Sequence, residues 1–204
     1  MLPFVYIFPL VGLIVWIINK ILKGNKIAVL GPQGSGKTTF LNYLRGKENY
    51  YETNATGKER YEGFSFKLSS GKEITIKSGE DIGGGDLYRE LYEDLIKKSD
   101  SVVFIFDINK YLSDGEYEKM TNARMQFVYE KFCSNFNEKD IPRRISIILS
   151  HSKNYKEDES EFFKKIRELI KSKKDYSKIL RNFHACDMTN PKDMENLKNN
   201  IFGK

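Results

Sequence analysis

Residues that bind zinc or form disulfides are scarce in this sequence. Its 204 residues include 2 cysteines and 2 histidines. Cys133 and Cys186 lie far apart without CxxC or CxxH spacing, and two thiols are too few for a disulfide framework. His151 and His184 also lack the spacing of metal ligands. The sequence therefore predicts free thiols in a reducing compartment and no zinc site.

A large excess of one charge sign is also missing. The chain has 34 Lys and Arg residues against 28 Asp and Glu residues, a net charge of +6. Basic residues are interleaved with acidic ones, as in residues 156–159 and 164–168, which is typical of a solvated helix face. We therefore predict no nucleic-acid partner. The hydrophobic content of 40% is sufficient for the core of one domain plus a short appendage.

The first 23 residues differ in composition from the rest. Residues 2–22 are mostly apolar and have no charge before Lys20, and a helix of about 20 apolar residues is long enough to span a bilayer. A signal peptide would begin with positive charges and end in a small-residue cleavage site, whereas the lysines here follow the apolar run. A buried core helix this apolar would crowd out the other elements of so small a domain. We predict a single-pass membrane anchor over residues 1–23, with residues 2–22 in the lipid bilayer.

The charges beside this segment predict its orientation. Lys20, Lys23 and Lys26 lie at or just after the end of the apolar run, and only the amino terminus precedes it. Because positive flanks stay on the cytoplasmic side of a membrane, we expect residues 24–204 in the cytoplasm. The free thiols indicate the same compartment.

Residues 24–204 alternate strand and helix patterns, which is typical of one α/β domain with a parallel sheet between helices. We predict a mainly parallel, six-stranded sheet flanked by about five helices. The predicted strands are residues 26–30, 63–68, 73–77, 101–106, 145–149 and 183–186, the second and third forming an antiparallel hairpin. The predicted helices are residues 37–45, 86–98, 113–136, 162–170 and one that begins at Pro191 behind an Asn190 cap.

A glycine-rich motif joins the first predicted strand to the first helix. Residues 31–38 match GxxxxGK[ST] in full and lie between an apolar strand and a helix, as a P-loop requires. Glycines let backbone N–H groups surround phosphates, and the helix N-terminus adds partial positive charge. Lys37 would reach the β- and γ-phosphates, and the Thr38 hydroxyl would ligate Mg²⁺. The candidate nucleotide-binding residues here are Gln33, Gly34, Ser35, Gly36, Lys37, Thr38 and Thr39.

A second motif, DxGG at residues 81–84, follows the predicted hairpin. A carboxylate at Asp81 would hold a magnesium-bound water, and the glycines would let the loop approach the γ-phosphate. We take Gly84 together with Lys37 as the catalytic candidates, and Asp81 as a metal candidate.

Between the two motifs lies a polar segment without periodicity, residues 50–61, which is typical of a mobile switch loop. Thr56 is the candidate for a second hydroxyl on Mg²⁺, with Thr53 as its rival.

With these motifs, residues 24–204 resemble the G domain of the Ras-like small GTPase superfamily, a P-loop NTPase fold. The DxGG motif at Asp81 looks most like that of the Arf group. Together with the anchor, the chain is similar to the beta subunit family of the signal recognition particle receptor and to prokaryotic Ras-like GTPases. The resemblance implies GTP and GDP as ligands, Mg²⁺ as cofactor, and a cytosolic partner or activating protein.

The sequence departs from this family at the position that orients the attacking water. Arf- and Ras-type proteins have glutamine directly after DxGG, whereas this chain has Gly85. Because hydrolysis in the family depends on positioning and electrostatics, we expect slow intrinsic turnover unless a partner supplies the missing group.

The base-reading motifs also differ. Where the family has [NT]KxD, residues 151–154 are HSKN, so that Asn154 replaces an aspartate that accepts two hydrogen bonds from guanine. Such a mismatch costs about 1–3 kcal/mol in a buried site. The family's Ser-Ala-Lys is represented at best by residues 184–186. The candidate base-binding residues are Ser152, Lys153, Asn154, Ala185 and Cys186.

Two functions fit these observations. The first is a membrane-anchored GTPase switch that recruits a cytosolic partner. The second is a hydrolysis-deficient, nucleotide-bound membrane scaffold with relaxed base specificity, which Gly85 and Asn154 favour. An ATP-using enzyme such as a kinase is a third possibility, but the sequence has no recognisable lid or substrate site.

Overall fold

The computed structural model describes residues 24–48, 50–51, 58–83, 88–133, 145–155, 164, 166–169 and 182–203. Several predictions lie outside these residues: the anchor at 1–23, the switch-loop threonines Thr53 and Thr56, and the glycines Gly84 and Gly85. None of the helices in the described ranges has the length and apolar character needed to cross a bilayer.

The described chain begins with a strand and a helix, continues with four successive strands, and then combines helices with the remaining strands. The strands are β1 Ile27–Leu30, β2 Lys58–Tyr61, β3 Phe64–Lys67, β4 Glu73–Ile76, β5 Gly79–Ile82, β6 Ser101–Asp107, β7 Ile145–Ser150 and β8 Phe183–Cys186. The helices are α1 Lys37–Leu44, α2 Tyr88–Lys98, α3 Ile108–Ser113, α4 Gly115–Cys133 and α5 Pro191–Phe202, with a 3-10 helix over Ser152–Tyr155. Residues 166–169 are also helical.

A four-stranded parallel sheet forms the centre of the domain, in the order β1-β6-β7-β8. Strands β1, β6 and β7 are almost wholly buried, as expected for continuous apolar runs covered on both faces, whereas two of the four residues of β8 are partly exposed. One apolar cluster packs Phe104 and Phe106 against α2, α3 and α4. A second packs Val103 and Ile105 against α1 and α5. All four strands point the same way, so that their carboxyl ends meet at one edge.

An interrupted hairpin lies beside this sheet. β2 pairs with β5 and β3 pairs with β4, both antiparallel. The two pairs share one register, since Lys58 faces Ile82 and Phe64 faces Ile76. They therefore form one long hairpin, interrupted for two residues on each side. A single parallel bridge between Asn25 and Ile76 connects it to the start of β1.

The predicted six-stranded sheet is therefore wrong in its strand count, although the α/β class and the parallel sheet are confirmed. The described parallel sheet has four strands, and residues 63–68 and 73–77 belong to the separate hairpin. Strands β2 and β5 were not predicted, because KERY and GEDI show no clear apolar alternation and three residues of β2 are exposed. As a result, Asp81 lies within a strand rather than in a loop.

The predicted helix at residues 113–136 begins at Gly115 instead, its last three residues lie outside the described ranges, and the preceding helix α3 was not predicted. Two helices, α3 and α4, are separated at Asp114, whose backbone is extended (φ −124°, ψ 106°). The Asp114 carboxylate accepts hydrogen bonds from the N–H groups of Glu116 at 3.0 Å and Tyr117 at 3.1 Å. Asp114 therefore caps α4 and starts a new helix. The predicted Asn190 cap of α5 is confirmed, since its side chain accepts from Lys192 N at 3.0 Å.

Candidate nucleotide-binding site

The phosphate loop connects β1 to α1 through three glycines with positive φ: Gly31 (146°), Gly34 (72°) and Gly36 (93°). A Cβ on Gly31 would overlap the carbonyl oxygen of Ile105, so only glycine lets the loop pass this close to β6. Gly36 is the N-cap of α1 and supplies no side-chain cap. The N–H groups of the first turn of α1 therefore point toward the loop, where an anion would bind.

Lys37 lies folded against the loop that contains it. Its Nζ donates to the carbonyl oxygens of Gly31 at 3.1 Å and Pro32 at 2.8 Å. Burial lowers the pKa of Lys37 to about 8; the Asp81 carboxylate opposes this shift and the Arg124 guanidinium adds to it. The ammonium is therefore mostly protonated at pH 7 and has the charge that a phosphate requires.

The two predicted metal ligands that the structure describes lie together. The hydroxyl of Thr38, in the first turn of α1, donates to Asp81 Oδ2 at 2.7 Å, and Asp81 is buried at the end of β5. A hydroxyl and a carboxylate are both oxygen donors, which is the chemistry that Mg²⁺ prefers. These residues therefore fit a magnesium ion. The third predicted ligand, Thr56, lies outside the described residues.

A cavity of about 800 Å³ extends from the phosphate loop along the edge where the parallel strands end. This volume is within the usual range for small-molecule sites, and such sites lie at the carboxyl ends of parallel strands. Its lining consists of residues 33–39 together with Tyr51, Ile82, Gly83, Lys110, Ser113, Asp114, Tyr117, Met120, His151, Asp187, Met188 and Thr189.

The residues after β7 were predicted to read a base. His151 has a positive φ of 59°, and its Nδ1 lies 3.0 Å from Ser150 Oγ and 3.5 Å from Asp107 Oδ2. His151 lines the cavity. The predicted base-binding residues Ser152, Lys153 and Asn154 follow it in the 3-10 helix, where Ser152 is buried and Lys153 is exposed.

The end of β8 contributes more to the cavity than the sequence indicated. The predicted residues Ala185 and Cys186 end β8, and the three residues that follow them line the cavity. The first of these, Asp187, accepts hydrogen bonds from Thr189 N at 3.0 Å and Thr189 Oγ1 at 2.6 Å. Met188 packs so closely on Gly36 that a Cβ there would lie 2.5 Å from its Sδ. The rule that ligands bind where parallel strands end would have identified Asp187 and Met188.

Two further residues at the loop were not identified from the sequence. Tyr92, on α2, is fully buried and hydrogen-bonded to Gly31. Lys110, on α3, has its Nζ 3.5 Å from the position that a Cβ on Gly34 would occupy. Neither residue belongs to a sequence motif, since both reach the loop only through the packing of their helices.

The fold and this site define a P-loop G domain of the Ras-like kind. The sequence model of the ADP-ribosylation factor (Arf) family matches residues 14–127, which are more than half of the chain. The chain therefore belongs to the ADP-ribosylation factor family.

Two individual proteins show related similarity. The tRNA modification GTPase MnmE of Mycoplasmoides gallisepticum is 29% identical over 130 residues, which are 55% of this chain and 28% of that protein. The chain thus spans little more than a quarter of that relative. The structure of Methanosarcina barkeri Roco2 RocCORdC bound to GDP superposes with a TM-score of 0.53 at 18% identity, over 88% of this chain and 49% of that one. At this identity the likeness supports the fold alone.

Proposed function

We propose that this chain is a membrane-anchored guanine-nucleotide switch that binds GTP and GDP with Mg²⁺ and hydrolyses GTP slowly. The observation that carries the proposal is the contact of 2.7 Å between Thr38 Oγ1 and Asp81 Oδ2 beside the buried Lys37. These residues provide two oxygen ligands and one cation at the phosphate end of a cavity of nucleotide size.

In the proposed bound state, backbone N–H groups of the loop and of the first turn of α1 surround the phosphates. Lys37 exchanges its contacts with the carbonyls of Gly31 and Pro32 for contacts with the β- and γ-phosphates. Thr38 and Asp81 hold Mg²⁺, directly or through water. The metal, when bound, neutralises charge on the β- and γ-phosphates.

Slow turnover is expected from the residue that follows the DxGG motif. Gly85 has no side chain to orient the attacking water, so that hydrolysis depends on Lys37, the metal and the backbone around Gly84 unless an activating protein supplies more. We further propose that residues 2–22 hold the domain at a membrane, with residues 24–204 in the cytoplasm, where a protein partner reads the nucleotide state.

A hydrolysis-deficient scaffold with relaxed base specificity is the second candidate. Gly85 and Asn154 favour it. In this case the nucleotide stabilises a binding surface for a partner without being consumed.

Calorimetric titration of the full chain in lipid nanodiscs with GTP, GDP, ATP and XTP, with and without Mg²⁺, tests the proposal. Tight, magnesium-dependent binding of GTP and GDP, with measurable single-turnover phosphate release, is the expected result. Binding without phosphate release, or equal binding of other bases, favours the scaffold. Absence of binding to all four nucleotides contradicts both candidates.

The membrane proposal needs its own measurement. In a flotation assay with liposomes, the full chain should rise with the lipid, whereas residues 24–204 should remain at the bottom of the gradient. Recovery of the full chain in the bottom fraction would contradict a membrane anchor and leave nucleotide binding unaffected.

A further inference from the structure

Helix α3 places a second lysine beside the phosphate loop. The Nζ of Lys110 lies 3.5 Å from the position of a Cβ on Gly34, and Lys110 lines the same cavity as the loop. We infer that Lys110 is a second phosphate-binding lysine, which contacts the phosphate chain of a bound guanine nucleotide from the Gly34 side of the loop. The inference rests on the proposed function and adds a residue that no motif in the sequence indicates.

The backbone of Lys110 is held in place from two strands. Asp107, the last residue of β6, caps α3 by accepting hydrogen bonds from Asn109 N at 2.9 Å and Lys110 N at 3.2 Å. The side chain of Asn109 donates to the carbonyl oxygen of His151 at 3.0 Å, just after β7. The first turn of α3 is therefore fixed relative to the edge of the sheet where the cavity lies.

The side chain of Lys110 is held as well. Its Nζ lies 5.9 Å from the centroid of the Tyr117 ring, within the range of a cation–π contact. Tyr117 is itself buried, and its hydroxyl accepts a hydrogen bond from Asp107 N at 3.0 Å. Because the Tyr117 ring is fixed, the Lys110 ammonium that lies over it is already positioned at the cavity before any ligand binds.

The carboxylates near Lys110 have other contacts. Asp107 caps α3 and lies 3.5 Å from His151 Nδ1, and Asp114 caps α4. Within the part of the chain that the structure describes, no carboxylate forms an ion pair with Lys110. Lys37 lies at the other end of the loop, on the carbonyls of Gly31 and Pro32. The two lysines can thus neutralise different parts of a polyphosphate.

The position of Lys110 predicts which phosphates it contacts. The glycine-rich part of a P-loop surrounds the α- and β-phosphates, whereas its lysine reaches toward the γ-phosphate. GDP and GTP share the first two phosphates. We therefore expect loss of Lys110 to weaken both nucleotides by the same factor.

The test compares the full chain with the variants Lys110→Ala, Lys110→Met and Lys110→Arg, by titration with GDP and with GTP in the presence of Mg²⁺. Lys119→Ala is the matched control, because Lys119 lies on the next helix, is exposed, pairs with Glu116 at 2.9 Å and does not line the cavity. We expect Lys110→Ala and Lys110→Met to raise Kd about tenfold or more for both nucleotides. The difference should shrink at high salt, and Lys110→Arg should retain most of the affinity.

The Met variant keeps an unbranched side chain of similar length without the charge and therefore decides the outcome if the Ala variant unfolds. Unchanged GDP affinity in Lys110→Met, or an equal loss in Lys119→Ala, would overturn the inference while leaving the switch proposal intact. A loss confined to GTP would overturn the assignment to the shared phosphates. If the unmodified chain binds neither GDP nor GTP, the proposed function fails and this inference fails with it.

Discussion

The phenolic oxygen of Tyr92 makes two hydrogen bonds to one residue, accepting from Gly31 N and donating to Gly31 O, each at 2.8 Å. Gly31 begins the phosphate loop, and Tyr92 lies on α2, the helix that follows the Asp81 motif in the chain. The contact therefore links the loop directly to the segment that we expect to respond to the nucleotide. The Tyr92 hydroxyl and the Gly31 backbone are both buried, so water could not replace these hydrogen bonds if they were removed.

Replacement of Tyr92 by Phe tests this link. The substitution keeps the ring but removes the hydroxyl. The backbone N–H and the carbonyl oxygen of Gly31 then both lose their hydrogen bond to α2. We expect the free energy of unfolding to fall by about 1–3 kcal/mol and nucleotide affinity to fall with it. Chemical denaturation and nucleotide titration measure the two effects. Tyr61→Phe is the control, because its hydroxyl makes a longer bond of 3.4 Å to Ile27 O, away from the cavity.

An unchanged nucleotide affinity in Tyr92→Phe, together with a normal loss of stability, would show that the contact supports folding but not the shape of the loop. A larger loss of stability in Tyr61→Phe than in Tyr92→Phe would contradict the ranking of the two hydroxyls.

The loop glycines differ in how tightly they are enclosed, and this predicts a graded series. Gly31→Ala should cost about 3 kcal/mol or more, since the new Cβ overlaps a backbone oxygen of β6 at a positive φ. Gly36→Ala should cost about 1–3 kcal/mol, because its neighbour is the flexible Met188 thioether. Gly115→Ala meets no atom within 4 Å and should be neutral or slightly stabilising. Thermal unfolding of the three variants gives the order, and an equal effect of all three would refute it.

The parts of the site that the sequence predicted are those that a short motif specifies. Residues 31–38 carry the spacing, the glycines and the flanking elements of a P-loop within one stretch, so that strand, loop and helix were predicted together. Asp81 was predicted from its position after a hairpin, although the strand around it was not. These features depend on neighbours in the chain, which a single sequence contains.

The parts that were missed depend on residues distant in sequence. Tyr92 contacts Gly31 across 61 positions. Lys110 Nζ lies 3.5 Å from the position of a Cβ on Gly34 only because α3 packs at the end of β6. The break between α3 and α4 was missed for a different reason. The predicted helix began at residue 113 and so included Asp114, although aspartate is a favoured N-cap residue. Packing direction is a tertiary effect that periodicity does not encode, whereas the Asp114 cap is local and could have been recognised from the sequence.

The contact between Thr38 and Asp81 predicts a separation of metal and phosphate effects. Thr38→Ala removes the hydroxyl and should abolish most of the magnesium dependence of GTP binding, because the metal loses a ligand next to the β- and γ-phosphates. Thr38→Ser keeps the hydroxyl and should bind magnesium and nucleotide nearly as the unmodified chain does. Titration of GTP at a series of Mg²⁺ concentrations measures the effect. Equal magnesium dependence in the Ala and Ser variants would exclude Thr38 as a ligand.

The buried Lys37 predicts opposite effects of one substitution on stability and on binding. Its pKa is lowered from 10.5 to about 8, so the folded chain holds this proton less tightly than the unfolded chain does. Between pH 8 and 10.5 the unfolded state binds more protons, and the contribution of Lys37 to stability therefore rises with pH through this window. Below pH 8 both states are protonated, and the cost of burying the charge is constant.

Lys37→Met, which keeps the length of the side chain without its charge, should therefore stabilise the nucleotide-free protein at pH 7 by about 3 kcal/mol at most. It should also remove the rise in stability between pH 8 and 10.5 that this lysine causes, and nucleotide binding should be lost because no ammonium reaches the phosphates. Denaturation at pH 7, 9 and 10, with and without GTP, measures all three effects. The free energy of unfolding of the variant is compared with that of the unmodified chain at each pH, so that the titration of other groups cancels. A Met variant less stable than the unmodified chain at pH 7 would show that the contacts of Lys37 with Gly31 O and Pro32 O outweigh the cost of burying its charge.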